Sequence, residues 1–267
     1  MASLWPQLEQ ALQQYEEPYL LRAAAGAISD IACALQGPRL QPYVHKMMDL
    51  LHHALTSEFV DTATLPHIVG TVTQIAIELG PAFEAYLSHA VIALGNVMRR
   101  CMEQVQELTL DALDTLNHLR ESVLAFYSAA LQGLDKEHKG FMFTRYMADV
   151  MNLLGVVAAS GTLDAKVVCA ACDLITDIFR VYAGNQQVLE RVLSVPTVTN
   201  IVRRAINTND ERTSQKALEA NRAMAEAGYH IDLGAGGNVN TFQQQQPHLF
   251  SAAQQQQQQQ QQPHMMH

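Results

Sequence analysis

Apolar residues recur with a helical period over almost all of the first 232 positions. Leu20, Ala24, Ala27, Ile28, Ile31 and Leu35 fall at i, i+4, i+7, i+8, i+11 and i+15, one face of a long helix. Gly37-Pro38 ends it, a helix stop followed by a residue that cannot continue the ladder. A second helix is predicted from about Pro42 to Leu55, with Val44, Met47, Met48, Leu51 and Leu55 inward. A third runs from about Leu65 to Leu79 and stops at Gly80-Pro81. The next starts near Ala82 and passes Met98. No run alternates β-branched and polar residues for long enough to make a strand.

The stops repeat. Gly37 to Gly80 is 43 residues, and so is Tyr43 to Tyr86. Ser29-Asp30-Ile31, six residues before Gly37, is echoed by Thr176-Asp177-Ile178, six before Gly184. A period in the low forties built of two helices is the pattern of HEAT and armadillo repeats. Each pair buries its apolar face on its neighbours, so the core is continuous along the stack. The expected fold is all-α: a HEAT-repeat α-solenoid of about five helix pairs, at about 3–36, 39–79, 82–133, 141–183 and 185–228. The first helix of each pair is termed A and the second B. The third pair is longer than the others, between Arg100 and Leu113. Terminal repeats need polar outer faces. The first pair, with Leu4, Trp5, Leu8 and Leu12, is apolar, so Trp5 is expected at an incompletely covered edge.

The pattern stops at Asp232. The last 35 residues carry no Lys, Arg, Asp or Glu and include nine consecutive glutamines, Gln254 to Gln262. Such a segment cannot bury enough apolar surface to offset the entropy of ordering. The chain therefore divides into a solenoid, 1–232, and a disordered, low-complexity Gln-rich tail, 233–267.

Composition then narrows the function classes. The net charge is −9, which argues against a general nucleic-acid binder and allows a basic partner. No apolar run reaches the roughly 18 residues that cross a bilayer, so no membrane partner is expected. The start, Met-Ala-Ser-Leu-Trp-Pro, lacks the basic and apolar regions of a secretory signal. Four cysteines in 267 residues do not make a disulfide framework, and a reducing compartment is expected.

Within the repeats, specific strings stand out. They are Gln41-Pro42-Tyr43-Val44, Leu116-Asn117-His118-Leu119-Arg120-Glu121-Ser122 continuing to Leu131-Gln132-Gly133-Leu134, and Val167-Val168-Cys169-Ala170-Ala171-Cys172-Asp173-Leu174-Ile175-Thr176-Asp177. In order and spacing they resemble the carboxyl-terminal HEAT repeats of the importin-β (karyopherin-β) family, over about residues 1 to 228. The resemblance implies a right-handed superhelix with A helices outward and B helices lining the concave surface. It implies a nuclear transport receptor acting in the cytoplasm, the nucleus and the nuclear pore. Its partners would be an importin-α-type adaptor or basic cargo, and the phenylalanine-glycine (FG) repeats of nucleoporins. The family's Ran-GTP site lies mainly in amino-terminal repeats, which makes Ran-GTP a doubtful partner for this segment. The glutamine tail departs from the family pattern.

Candidate partner residues are mostly acidic. Glu103, Glu107, Asp111 and Asp114 have spacings of 4, 4 and 3, so on one helix they would form a single stripe. No Lys or Arg lies between Cys101 and Leu119. Like charges so placed repel each other, a cost that a basic partner would remove; a solvated helix face is the plainer alternative. Asp111 and Asp114 fall where the family also places acidic residues, and Glu121 lies in its Leu-Arg-Glu-Ser string. Asp30, Asp173 and Asp177 sit on B helices and could line the same surface, or be ordinary carboxylates. FG repeats would need apolar slots between A helices, for which the candidates are Tyr43, Met47, Phe83 and Tyr86; their spacing equally suits core.

No catalytic constellation is found, and neither a metal nor a cofactor is expected. Cys169-x-x-Cys172 is a lone pair in an apolar helix, without the second pair a structural zinc needs, and reads as buried structural cysteine. His52 and His53 point to different helix faces, and His45 and His52 share a face seven apart, too far for a standard metal pair. Arg99-Arg100 and Arg203-Arg204 lie near A-helix ends, where the helix dipole explains them. Two rival readings remain, a HEAT scaffold of the phosphatase type and an all-helical metal-dependent enzyme.

Overall fold

The computed structural model describes residues 4–103, 109–160, 164–193, 196–229 and 231, all within one unit, Met1–Ile231. Glu107 and the Gln-rich tail, 233–267, lie outside the described residues. Eleven α-helices follow one another there: α1 (Trp5–Leu12), α2 (Pro18–Leu35), α3 (Gly37–Thr56), α4 (Leu65–Leu79), α5 (Glu84–Glu103), α6 (Leu110–Asp135), α7 (Met147–Ala159), α8 (Ala165–Val181), α9 (Gln186–Leu193), α10 (Pro196–Ile206) and α11 (Glu211–Glu226). Short 3-10 turns, Gly80–Phe83 and Gly140–Tyr146, precede α5 and α7. The described residues contain no strand.

Proline and short polar side chains set the starts. Pro6, Pro18, Pro38, Pro66 and Pro196 sit in the first turns of α1, α2, α3, α4 and α10, where a missing N–H costs nothing. Thr109, Asp164 and Asp210 cap α6, α8 and α11 by accepting from free N–H groups of the first turn. One boundary differs from the sequence expectation. The second helix starts at Gly37, not Pro42, because Pro38 is the helix-opening proline and Pro42 is carried inside α3. One lost backbone bond there is outweighed by burial of Leu40, Val44, Met47 and Met48 on the same helix.

The five pairs are α1/α2, α3/α4, α5/α6, α7/α8 and α9–α10/α11, with the last A position split at Pro196. The B helices pack in sequence, α2 on α4, α4 on α6, α6 on α8 and α8 on α11. The A helices pack as α1–α3–α5 and α7–α10. This is a HEAT-type α-solenoid, with one apolar core shared between the two layers. Both 3-10 turns lie against α6, and a ladder of rings runs through them: Tyr86, Phe83, Phe126, Tyr127, Phe143 and Tyr146, with successive centroids 5.6 to 6.4 Å apart. At Gly140 the chain passes so close to α8 that a Cβ would run into Cγ1 of Val181. The Tyr182 hydroxyl locks that approach, donating to the Gly140 carbonyl at 2.7 Å.

The apolar edge expected at the first pair is present. By the 100° helical step, the flank of α2 turned away from α4 carries Leu20, Ala23, Ala27, Ile31 and Ala34, none of them fully buried. Trp5 is half-buried and stacks on Tyr43 at 5.8 Å. By length and composition alone, α2 is also apolar enough to cross a membrane, which the count of apolar runs missed. Here it buries Leu21, Ala24, Ala25, Ile28 and Ala32 in the core, and carries Arg22 and Asp30 on the opposite side.

Candidate partner-binding surface

The B helices share a face that points away from the A layer. On α2 this face carries Arg22, Gly26, Asp30 and Cys33; on α4, His67 and Glu78; on α6, Asp114, His118 and Glu121; on α8, Asp173; on α11, Lys216 and Glu219. Asp30, Asp111 and Asp114 are exposed, and Glu121 and Asp173 are half-exposed. The acidic positions are spread over several helices, not gathered on one. Glu103 closes α5 while Asp111 and Asp114 open α6, so the four residues spaced 4, 4 and 3 do not share a helix. Thr109 caps α6 as a helix of its own, its hydroxyl accepting from the N–H of Ala112 at 3.3 Å.

Asp177 has a different role from the one expected. Its spacing from Asp173 puts it on the same side of α8, but it turns toward α6 and is only 7% exposed. Its carboxylate accepts from the Ser128 hydroxyl and, at 2.8 Å, from Gln132 Nε2. Burial pushes the carboxyl up from its ordinary value, against the pull of those two hydrogen bonds. It is an interhelix tie with little surface for a partner.

Asp173 is partly engaged within the chain. Lys216 Nζ lies 3.0 Å from its Oδ1 and 3.3 Å from Glu219 Oε2. The hydrogen bond to Asp173 raises the Lys216 ammonium above its ordinary range. The bridge holds a cation where a basic partner would place one.

The face is not uniformly acidic. His67 and His118 meet edge to face with centroids 6.2 Å apart, and Arg22 is near enough to act on His67. Burial, then Arg22, then His118, lower the His67 pKa. Sequence spacing gave no sign of this row, because its members lie on three different helices. Glu78 was also missed; it accepts from Gln74 at 2.7 Å and neighbours Cys33.

On the A layer, two of the four aromatic or methionine candidates have no surface to offer. Met47 is 0% exposed and Phe83 is 1% exposed. Met47 faces the shared core, and Phe83 is a rung of the aromatic ladder. Tyr43 and Tyr86 are half-buried. Among the described residues, the exposed large apolar residues of the third and fourth pairs are instead Ile92, at 62%, Phe141, at 67%, and Leu110, at 82%, the last opening α6 in the B layer. Periodicity cannot single them out, since exposed and buried apolar residues look alike in a pattern.

The remaining features serve the fold. Cys169 and Cys172 are buried and free; Cys169 Sγ contacts Thr213 Oγ1 at 3.3 Å, and burial pushes the Cys172 thiol up to about 12. Arg204 donates to the Ala158 carbonyl at 3.1 Å, capping the end of α7, a neighbouring helix. Among the described residues, no three His, Cys, Asp or Glu side chains converge as a metal site would.

A family model described as importin subunit beta-1-like, TPR repeats, matches residues 1–206. The chain is 24% identical over 176 residues to importin subunit beta-1 of Schizosaccharomyces pombe, covering 66% of this chain and 20% of that protein. It thus spans about a fifth of the length of that relative. The fold matches a crystal structure of importin beta in a polyethylene glycol condition with a TM-score of 0.73, at 23% identity over 86% of this chain and 27% of that one. It matches the Kap95:Nup1 complex with a TM-score of 0.69, at 21% identity over 85% of this chain and 26% of that one.

Proposed function

The chain belongs to the importin subunit beta-1-like family of nuclear transport receptors, and on that premise we propose that it acts in nuclear import by protein binding alone. It receives a basic adaptor or cargo helix on the open face of its B layer. It engages nucleoporin FG repeats on its A layer, and it works between cytoplasm, nucleus and pore. The observation that carries this reading is the open B face itself, with Asp30, Asp111, Asp114, Glu121 and Asp173 accessible on three helices. A basic helix laid across them would remove carboxylate repulsion, and it would avoid the row of Arg22, His67 and His118. The nucleoporin half of the proposal draws on the similarity to Kap95 in its complex with Nup1, and on the exposed Ile92 and Phe141.

Magnitudes set the expected strength. An exposed ion pair contributes roughly 0.2–1 kcal/mol, so five contribute at most about 5, against about 12 for nanomolar binding. Binding to a basic helix is therefore weak, and it weakens further with salt. The test is a pull-down and titration with a basic adaptor helix and with an FG-repeat peptide, at low and high salt. Weak, salt-sensitive capture of the first supports the proposal. Tight, salt-insensitive binding, or no binding at low salt, contradicts it.

A further inference from the structure

On the A layer, α3 and α5 meet through two imidazoles. The rings of His52 and His89 stack with centroids 3.8 Å apart and planes 16° from parallel. The walls around them are apolar: Met48 and Leu55 from α3, Val72 from α4, Ala90 and Ala93 from α5. Nδ1 of His52 is buried and has no hydrogen-bond partner among the described residues. We propose that the stacked His52 and His89 form a proton-operated joint between α3 and α5, closed while His52 is neutral and loosened as His52 takes up a proton.

The chemistry follows from the geometry. A neutral imidazole can leave one ring nitrogen bare, but an imidazolium must donate from both. A proton on Nδ1 of His52 meets no acceptor. A charge on both rings would place two cations face to face between apolar walls. The folded joint therefore resists protonation, and the open joint, which lets water reach both rings, accepts it.

The surroundings agree. Burial lowers the His52 pKa, and the His89 and His53 rings lower it further; the His89 backbone and then Asp49 act the other way without reversing the direction. Asp49 is itself paired with His45, at 3.5 Å. α4 contributes Val72 to the pair, and Glu9 of α1 is occupied by Lys46 at 2.7 Å. A histidine whose folded pKa is lowered contributes stability that is present above its unfolded pKa, about 6.5. That stability is lost as pH falls toward the folded value.

The test uses the full chain. Histidine NMR titration of the wild type should find His52 titrating below the ordinary imidazole range. Amide exchange in α3 and α5, corrected for intrinsic rates and compared with α8, should then accelerate between about pH 7.5 and 5, about tenfold for each unit of depression. His52→Gln and His89→Gln should each remove that acceleration, and His53→Gln should keep it. An ordinary or raised His52 titration overturns the joint. So does acceleration that persists in both Gln variants. If either variant fails to fold, the wild-type titration decides by itself.

Discussion

The groups with displaced pKa values include two imidazoles in the first three repeats, His52 and His67, and a buried carboxylate in the fourth, Asp177. The two regions are also tied differently. Between α2 and α4 the cross-repeat bond among buried side chains is Thr71 Oγ1 to the Ala25 carbonyl, at 3.0 Å. Between α6 and α8 lies the Ser128–Gln132–Asp177 cluster, and between α8 and α11 lie the Asp173–Lys216 bridge and the Cys169–Thr213 contact. A solenoid is stabilised junction by junction, so one chain can carry junctions with different sensitivities. The early ones rest on apolar packing and neutral imidazoles, and the later ones on satisfied polar groups.

The largest test of that contrast is Asp177→Ala. It leaves Ser128 and Gln132 without their acceptor and opens a small void between α6 and α8. The expected loss is about 2–3 kcal/mol, measured by urea denaturation. Asp177→Asn keeps an acceptor and removes the buried charge, so it should cost much less. Equal losses for the two variants would mean that the carboxylate's charge, and not its hydrogen bonding, holds the junction. Next is Gly140→Ala, which drives a methyl group into Val181 and strains the Tyr182 bond. Overpacking of this kind costs about 1–3 kcal/mol, and a neutral outcome would show that the turn and α8 can separate freely.

These two sites also mark what the sequence could reveal. The five helix pairs were legible because their signals are local: apolar spacing, Gly-Pro stops and a repeat near forty residues. The Pro42 boundary was misplaced because two prolines lie four residues apart and only one opens the helix. Asp173 and Asp177 look equivalent in the sequence, four residues apart on one helix. What separates them is Ser128 and Gln132 on α6, more than forty positions earlier, and no spacing rule reaches that far. Met47 and Phe83 were ambiguous for the same reason. Whether an apolar residue is slot or core depends on what packs over it from another repeat.

A third test separates the regions by pH. His52 and His67 have lowered pKa values, so their contribution is present at neutral pH and lost as pH falls through those values. Asp177 has a raised pKa, so its contribution is fully present below the unfolded carboxyl value, about 3.9, and lost as pH rises through its folded value. Mild acid should therefore loosen α3, α4 and α5 while leaving the α6–α8 junction as strong or stronger. Hydrogen exchange resolved by segment checks this. Uniform loosening along the stack would erase the contrast.

The smallest expected effect concerns binding. Lys216 bridges Asp173 and Glu219 on an open face, so its net contribution to stability is that of a surface pair, roughly 0.2–1 kcal/mol. Removing it by Lys216→Ala frees two carboxylates in the later repeats. If the open B face receives a basic helix, that variant should bind one a few-fold more tightly at low salt, because the partner no longer competes with an internal cation. The gain should vanish at high salt, where screening removes the attraction. His67→Ala should have less effect near neutral pH, since burial and Arg22 lower its pKa and keep it neutral there. Unchanged affinity in Lys216→Ala would place the basic partner on the earlier repeats, over Asp30, Asp111 and Asp114, where no such bridge has to be displaced.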